Sequence, residues 1–278
     1  MPELPEVETV RRGLERSLVG RRFDEVSVGR ARVARRTSRE ELRDGLTGAR
    51  VVAVRRQGKY LLLDLDSDSI AMVHLRMSGQ VIIDDGLDEP PRHSHVIGLL
   101  DDGCRFLFVD PRTFGEVVVS SRHRVDELIP ELGRLGLDPL NDGIEMTTVT
   151  AMCRNRRRRL KSLLLDQSFI AGIGNIYADE ICHRAGLRPD RRADTLSSRS
   201  RRRLTDSIGE VIEEAVELGG STLADAQYVG VDGKPGTFQE RHRVYAQTGK
   251  RCTSCGRGVI RRMVIDQRGS HFCPVCQR

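Results

Sequence analysis

Residues 51–75 read VVAVRRQGKYLLLDLDSDSIAMVHL. Three apolar runs, Val51 to Val54, Tyr60 to Leu65 and Ile70 to Leu75, are rich in β-branched and large aliphatic residues and are parted by breakers at Gly58 and Asp68. Short runs bounded by turn residues predict strands. The same pattern recurs outward from this stretch, at Val26 to Val28 before it and at Val81 to Ile83, His95 to Leu100, Phe106 to Val109 and Val117 to Val119 after it, with Gly79 and Asp102-Gly103 as further breakers. Many short strands at this spacing predict a sandwich or barrel, and an antiparallel two-layer sandwich is the expectation. In front of them Val7, Val10, Leu14 and Leu18 recur three or four apart, between Pro5, which suits a first helical turn, and Gly20, which suits a stop. One amphipathic helix opens the protein.

Beyond Leu128 the spacing turns helical, most clearly at Leu204, Ile208, Val211, Ile212, Ala215 and Leu218, closed by Gly219-Gly220. Gly230 to Gly236, with Asp232-Gly233 and Pro235-Gly236, has loop chemistry and separates the helices from a C-terminal module. Domains are expected at 1–130, 131–236 and 237–278. Basic runs at Arg154 to Lys161 and Arg199 to Arg203 read as solvated helix faces when taken alone.

Over the 278 residues, 46 Lys and Arg against 40 Asp and Glu leave a net charge of +6. With 38% hydrophobic and 31% charged residues the chain is neither disordered nor fibrous, and no apolar run reaches membrane-spanning length. Two acids within Met1-Pro2-Glu3-Leu4-Pro5-Glu6, where a secretory signal would carry positive charge, point to the cytoplasm. Aromatic residues are 4% and Trp is absent, so a stacking platform for single strands is poorly supplied and a duplex is the better partner for this basic chain.

Cys252-Thr253-Ser254-Cys255 and Cys273-Pro274-Val275-Cys276 are two Cys-x-x-Cys pairs with 17 residues between them. That spacing fits one four-cysteine zinc ion, each pair giving two thiolates from a tight turn and the intervening segment free to form a hairpin. Four cysteines leave no open coordination position, so the zinc is structural. Cys104, Cys153 and Cys182 are expected as free thiols. At the other end, Met1-Pro2 has a small second residue, the situation in which methionine is commonly removed. Pro2 would then carry an amine with a pKa of about 7.7 to 8.0, partly uncharged at neutral pH and able to form an iminium with an aldehydic carbon.

The string Pro2 to Leu14, PELPEVETVRRGL, resembles the start of the bacterial formamidopyrimidine-DNA glycosylases, which remove oxidised purines from DNA. Four further segments agree in order: Gln57-Gly58-Lys59-Tyr60-Leu61, His74-Leu75-Arg76-Met77-Ser78-Gly79, Asp110-Pro111-Arg112-Thr113-Phe114-Gly115, and Gly172 to Glu180, GIGNIYADE. The zinc module ends in the same way, from Gln267-Arg268-Gly269-Ser270 to Cys276-Gln277. The resemblance implies an α+β multidomain protein. The N-terminal helix and sandwich would be catalytic, followed by a helix-two-turns-helix DNA-binding domain with a lesion-capping loop and by a zinc finger. It also implies a monomer, associated with the nucleoid, acting in base excision repair on duplex DNA that carries oxidised bases or abasic sites.

Residue by residue, the resemblance makes Pro2 the nucleophile, Glu3 the acid/base, Glu6 a supporting carboxylate and Lys59 the lysine at the phosphate beside the lesion. Met77, Arg112 and Phe114 match the wedge that fills the gap left by an extruded nucleotide and holds the orphaned base. His93, Arg112, Arg157, Asn175 and Arg268 match the phosphate clamp, with Arg268 also counted in the catalytic set. A glycine turn opening a helix at Asn175 exposes backbone N–H groups at the positive end of the helix dipole, which suits a phosphate. Gly219 to Gln239 resembles the segment that folds over the flipped base. Thr113, where many relatives have Arg, and Ala246-Gln247, where Gly-Arg is usual, depart from the pattern. Two alternatives stand beside this reading: an endonuclease VIII-like glycosylase for oxidised pyrimidines, and a zinc-ribbon protein that grips damaged DNA without chemistry.

Overall fold

The computed structural model describes residues 1–86, 89–223 and 228–278. The chain divides into two compact units. One comprises Met1–Gly133 with Leu218–Thr237, the other Arg134–Glu217 with Phe238–Arg278.

In the first unit α1 (Leu4–Leu18) turns Val7, Val10, Leu14 and Leu18 inward, and Gly20 ends it at φ +86°. Strands β1 (Phe23–Val28), β2 (Val51–Gln57), β3 (Tyr60–Leu65), β4 (Ser69–His74), β5 (Gln80–Asp84), β6 (Ser94–Leu100), β7 (Arg105–Val109) and β8 (Glu116–Ser121) follow. Between β1 and β2 lies α2 (Arg39–Leu46), a helix that sequence periodicity did not predict. It is short and has little apolar periodicity, and its legible mark is a capping box, with the Glu41 N–H donating to Ser38 Oγ at 3.0 Å and the Ser38 N–H to Glu41 Oε2 at 2.7 Å.

The strands form two four-stranded antiparallel sheets, β1-β6-β7-β5 and β2-β3-β4-β8. Every expected strand is present, with ends shifted by a few residues. Their facing side chains, among them Phe23, Leu61, Leu63, Val73, Phe106 and Phe108, form one apolar core with α1 and α2. Leu61, Leu63, Phe106 and Phe108 are each no more than 1% exposed, and each such burial contributes roughly 1.5–3 kcal/mol. A short α3 (Val125–Leu128) leads out of the sheets.

The second unit contains α4 (Met146–Cys153), α5 (Leu160–Leu164), α6 (Asn175–Arg184), α7 (Ser198–Glu217) and the hairpin β9 (Arg261–Ile265) to β10 (Arg268–Phe272). The run Arg154 to Arg159 does not form a helix face. It is the turn between α4 and α5, with Asn155 at φ +57°, and Arg158 is drawn off to Asp166 at 2.5 Å. Arg199 to Arg203 does lie on the first turns of α7.

The expected boundaries at 130 and 236 differ from the two units in two respects. Segment 218–237, read with the helices, packs with the first unit, and the cysteine module packs with the helices rather than standing alone. The reason lies in buried polar contacts. Ser221 N–H donates to Glu6 Oε1 at 2.7 Å, and Ile83 N–H donates to the Val231 carbonyl at 3.0 Å. Glu180, on α6, accepts the backbone N–H groups of Arg243, Val244 and Tyr245 at 2.8 to 3.0 Å. Among the described residues no helix is long and apolar enough to cross a membrane.

Candidate active site and nucleic-acid interface

Pro2 is buried directly before α1, and Glu3 is the residue that caps the helix. Glu3 and Glu6 form a capping box, with the Glu3 N–H donating to Glu6 Oε2 at 2.7 Å. The two residues are 2% and 1% exposed. Both oxygens of Glu6 are engaged, since Oε1 takes the Ser221 N–H. Gly220, at φ +75°, makes that approach possible, because a Cβ there would lie 2.7 Å from Glu6 Oε1. Tyr228 adds its hydroxyl, donating to the carbonyls of Glu6 at 3.3 Å and Gly219 at 3.0 Å. Residues 224–227, in the middle of the expected lid, fall outside the described residues. The positive end of the α1 dipole faces Pro2, which disfavours a cation there and favours the carboxylates.

Lys59 lies on the tight turn between β2 and β3, with Gly58 at φ +56°, and is only 9% exposed. A pair that sequence reasoning did not single out fixes the turn. Glu8, on α1, binds Arg56 Nε at 3.0 Å, and Arg56 Nη1 donates to the Gly58 carbonyl at 3.0 Å. Arg56 has a fully buried side chain, and its signal in the sequence was its inward register on β2.

Met77, Arg112 and Phe114 occupy two neighbouring loops, β4 to β5 and β7 to β8. Met77 is 39% exposed, a large apolar side chain left out of the core. Arg112 stacks over the Phe114 ring at 5.0 Å and Arg32 at 5.7 Å. Asp110 joins the loops: it accepts the Ser78 hydroxyl at 2.5 Å, the Arg112 N–H at 3.2 Å and the Gly115 N–H at 2.6 Å. His93, at φ +73°, receives the Asp110 N–H on its carbonyl at 3.0 Å. Burial, and next to it the Arg76 charge, push the His74 imidazole down to about 3. It is therefore neutral, and its Nδ1 accepts the Arg76 N–H at 3.0 Å. Thr113 takes φ +55°, which a β-branched residue adopts only under strain.

In the second unit Asn175 opens α6 behind Gly174, and its buried Oδ1 has no partner among the described residues. Arg157 is exposed on the turn before α5. Arg268 starts β10 after a turn in which Asp266 and Gln267 both have positive φ, and it borders a cleft of about 190 Å³ with Arg158, Ser162 and Asp166. A buried pair holds that hairpin: Lys161 Nζ lies 2.7 Å from Asp179 Oδ1 and donates to the Gly269 carbonyl at 2.9 Å, while Asp179 Oδ2 receives the His271 N–H at 2.8 Å. Neither charged side chain was legible as buried from sequence.

Cys252, Cys255, Cys273 and Cys276 place their sulfurs within 4.8 Å of one another. Cys252 Sγ lies 3.7 Å from Cys276 Sγ and Cys255 Sγ 3.8 Å from Cys273 Sγ. A tetrahedron with metal–sulfur bonds of about 2.3 Å has edges of about 3.8 Å, so the donor set fits one four-coordinate ion. Cys104, Cys153 and Cys182 lie outside the cluster.

The model of the formamidopyrimidine-DNA glycosylase N-terminal domain matches residues 1–117, and that of the formamidopyrimidine-DNA glycosylase H2TH domain matches residues 135–227. The chain belongs to the formamidopyrimidine-DNA glycosylase family. It is 40% identical to the formamidopyrimidine-DNA glycosylase of Pelotomaculum thermopropionicum, covering 100% of this chain and 99% of that one. It is 41% identical to the glycosylase of Heliobacterium modesticaldum over the whole of both chains. Among solved structures, the Fpg (MutM) protein of Thermus thermophilus superposes with a TM-score of 0.87 at 41% identity, covering 99% of this chain and 98% of that one. The Fpg of Lactococcus lactis in complex with an abasic site containing DNA gives 0.90 at 32%, covering 99% of each. The expected family fold, antiparallel sheets followed by a helical H2TH domain and a four-cysteine cluster, is the fold of this glycosylase-family chain.

Proposed function

We propose that this chain excises oxidised purines, 8-oxoguanine and formamidopyrimidines, from duplex DNA, and cuts the strand with the same residues. It is a DNA glycosylase of base excision repair with AP lyase activity. The observation that carries the residue assignment is the buried capping box of Glu3 and Glu6 closed around the chain directly after Pro2.

With Met1 removed, the Pro2 nitrogen attacks C1′ of the damaged nucleotide. The glycosidic bond breaks, its electron pair leaves with the base, and the base takes a proton. The amine loses its proton and the C1′–O4′ bond opens, with O4′ taking a proton, which leaves an iminium at C1′ that acidifies C2′–H; loss of that proton expels the 3′ oxygen, and a second elimination expels the 5′ oxygen. Glu3 delivers and accepts protons next to the amine. Glu6 is already filled by two backbone N–H groups, and it braces the helix start against segment 218–237. Lys59 serves the phosphate beside the lesion. Met77, Arg112 and Phe114 fill and read the gap; His93, Arg112, Arg157, Asn175 and Arg268 hold phosphates, with Arg268 completing the catalytic set. Residues 1–130 supply the chemistry, 131–236 the helical grip and lid, and 237–278 the finger. Zinc on Cys252, Cys255, Cys273 and Cys276 is structural, since no coordination position stays open.

Borohydride reduction tests the assignment. Trapping gives a covalent protein–DNA adduct, and substituting Pro2 or retaining Met1 abolishes it. Survival of the adduct in those variants would show that a lysine such as Lys59 is the nucleophile. Excision from duplexes carrying 8-oxoguanine or an oxidised pyrimidine, compared side by side, identifies the base class.

A further inference from the structure

Glu116, the first residue of β8, is 1% exposed and faces three guanidinium groups. Arg36 reaches it with Nε at 3.1 Å and Nη2 at 3.2 Å, Arg76 with Nη2 at 3.0 Å, and Arg35 with Nε at 3.4 Å. Arg76 immediately precedes Met77. Arg35 donates to the Phe114 carbonyl and, at 3.0 Å, to the Gly115 carbonyl. Arg36 continues outward to the Glu131 carboxylate at 2.9 Å and the Leu128 carbonyl at 2.8 Å, which anchors the cluster to the end of α3. One buried carboxylate therefore ties together the loop that carries Met77 and the loop that carries Phe114.

The backbone gives a second, independent sign. Arg76 sits at φ +53° and Thr113 at φ +55°, one in each loop. Residues without a glycine's freedom hold such angles only where the surroundings over-determine them, and such strain collects where a site is preorganised. Without Glu116, three like charges would be left close together and the two loops would keep Asp110 as a shared carboxylate anchor but lose the one that holds Arg76 and Arg35.

We propose that Glu116 is a positioning residue for opening the duplex. It keeps Met77 and Phe114 at a fixed separation, so that both enter the stack together as the damaged nucleotide leaves. This rests on the reading of Met77 and Phe114 as the wedge.

The test compares Glu116→Gln with the parent in the full-length, zinc-loaded protein. On duplex DNA carrying 8-oxoguanine, single-turnover excision falls about tenfold or more, the scale on which small misplacements act. On single-stranded DNA carrying an abasic site there is no stack to open and no orphaned base, and borohydride trapping proceeds at the parental rate. Placed in a Met77→Ala background, Glu116→Gln adds little further loss, because residues acting through one another are not additive. Equal losses on both substrates, additive losses in the double variant, or parental duplex excision while Met77→Ala alone is slow, would each overturn the proposal. If neither Met77→Ala nor Phe114→Ala slows either substrate, the wedge reading fails and Glu116 loses its role with it. Should circular dichroism show the Gln variant unfolded, Glu116→Asp keeps the charge and shortens its reach. Its expected outcome is slowed duplex excision with parental single-strand trapping, and equal losses on both again count against the proposal.

Discussion

The sandwich and the cysteine module reach stability by opposite means. The sandwich buries a continuous apolar core between two sheets and two helices. The module has an apolar cluster of Val244, Cys252, Ile260 and Cys273, half of it the proposed metal ligands themselves. So small a core does not offset the chain entropy of ordering the hairpin. The first region is folded by its side chains, and the second, with four cysteines placed to hold an ion, depends on the proposed zinc and on its neighbours.

The strongest way to break that contrast is to remove the ion. Chelation, or Cys273→Ser, withdraws on the order of 10 kcal/mol of folding free energy from the module. Hydrogen exchange then accelerates across residues 251–277 while β2, β3, β4 and β8 keep their protection. Retained protection in β9 and β10 would show that the hairpin stands without metal.

Next in size is Asp179→Ala. It leaves the Lys161 ammonium buried and unpaired and removes the acceptor of two His271 groups, so it costs about 3–5 kcal/mol. The loss is confined to the second unit, with α6 and β10 loosened while zinc content, measured by metal analysis, is unchanged. A fall in zinc content equal to that of Cys273→Ser would erase the distinction between ion and neighbours.

Acid separates the two regions by cause. Burial works against the charge of Glu116, but the Arg36 and Arg76 guanidiniums outweigh it and hold the carboxyl below its ordinary range. A depressed carboxyl stabilises the fold fully above its unfolded value, about 4.3, and that contribution drains away as pH falls below it, by at most about 1.4 kcal/mol per pH unit. The module weakens in acid for another reason, because protonated thiols release metal. Glu116→Gln therefore flattens the acid decline of the first unit, followed by exchange in β8, and leaves zinc release unchanged. An unaltered slope in β8 would mean that Glu116 keeps its ordinary affinity for protons.

The smallest effect runs in the stabilising direction. Ala246 holds φ +58°, a conformation costing about 1–2 kcal/mol in an L-residue with a Cβ. Ala246→Gly is expected to raise thermal stability of the second unit by about 1 kcal/mol, read by calorimetry. A loss instead would mean that the Ala246 methyl packs usefully.

The fold was largely legible. Val51 to Leu75 announced three strands because apolar runs and turn residues alternate at a spacing only a sheet satisfies, and the same held for the other five. The helix Arg39–Leu46 escaped because Leu42 and Leu46 are its only buried residues. The proposed site residues in glycine-marked turns, such as Lys59 beside Gly58 and Asn175 behind Gly174, stood out only through the motifs of the resemblance. Glu8, Arg56, Glu116, Lys161 and Asp179 did not stand out. A charged residue in a core is defined by a partner distant in sequence, 48 residues away for Glu8 and Arg56 and 80 for Arg36 and Glu116. Periodicity reports which side a residue faces and says nothing about what waits there.

Thr237 N–H donates to the Leu218 carbonyl at 2.9 Å, and a Cβ on Gly236 would fall 2.3 Å from the Gly219 carbonyl oxygen. The two ends of segment 218–237 are thus stitched to each other. A stretch closed in this way can change length between its tied residues without pulling its own ends apart, while Ser221, Tyr228 and Val231 hold it to the first unit. On the lid role proposed for it, a change in which damaged base is accepted can arise within this segment without redesigning the scaffold.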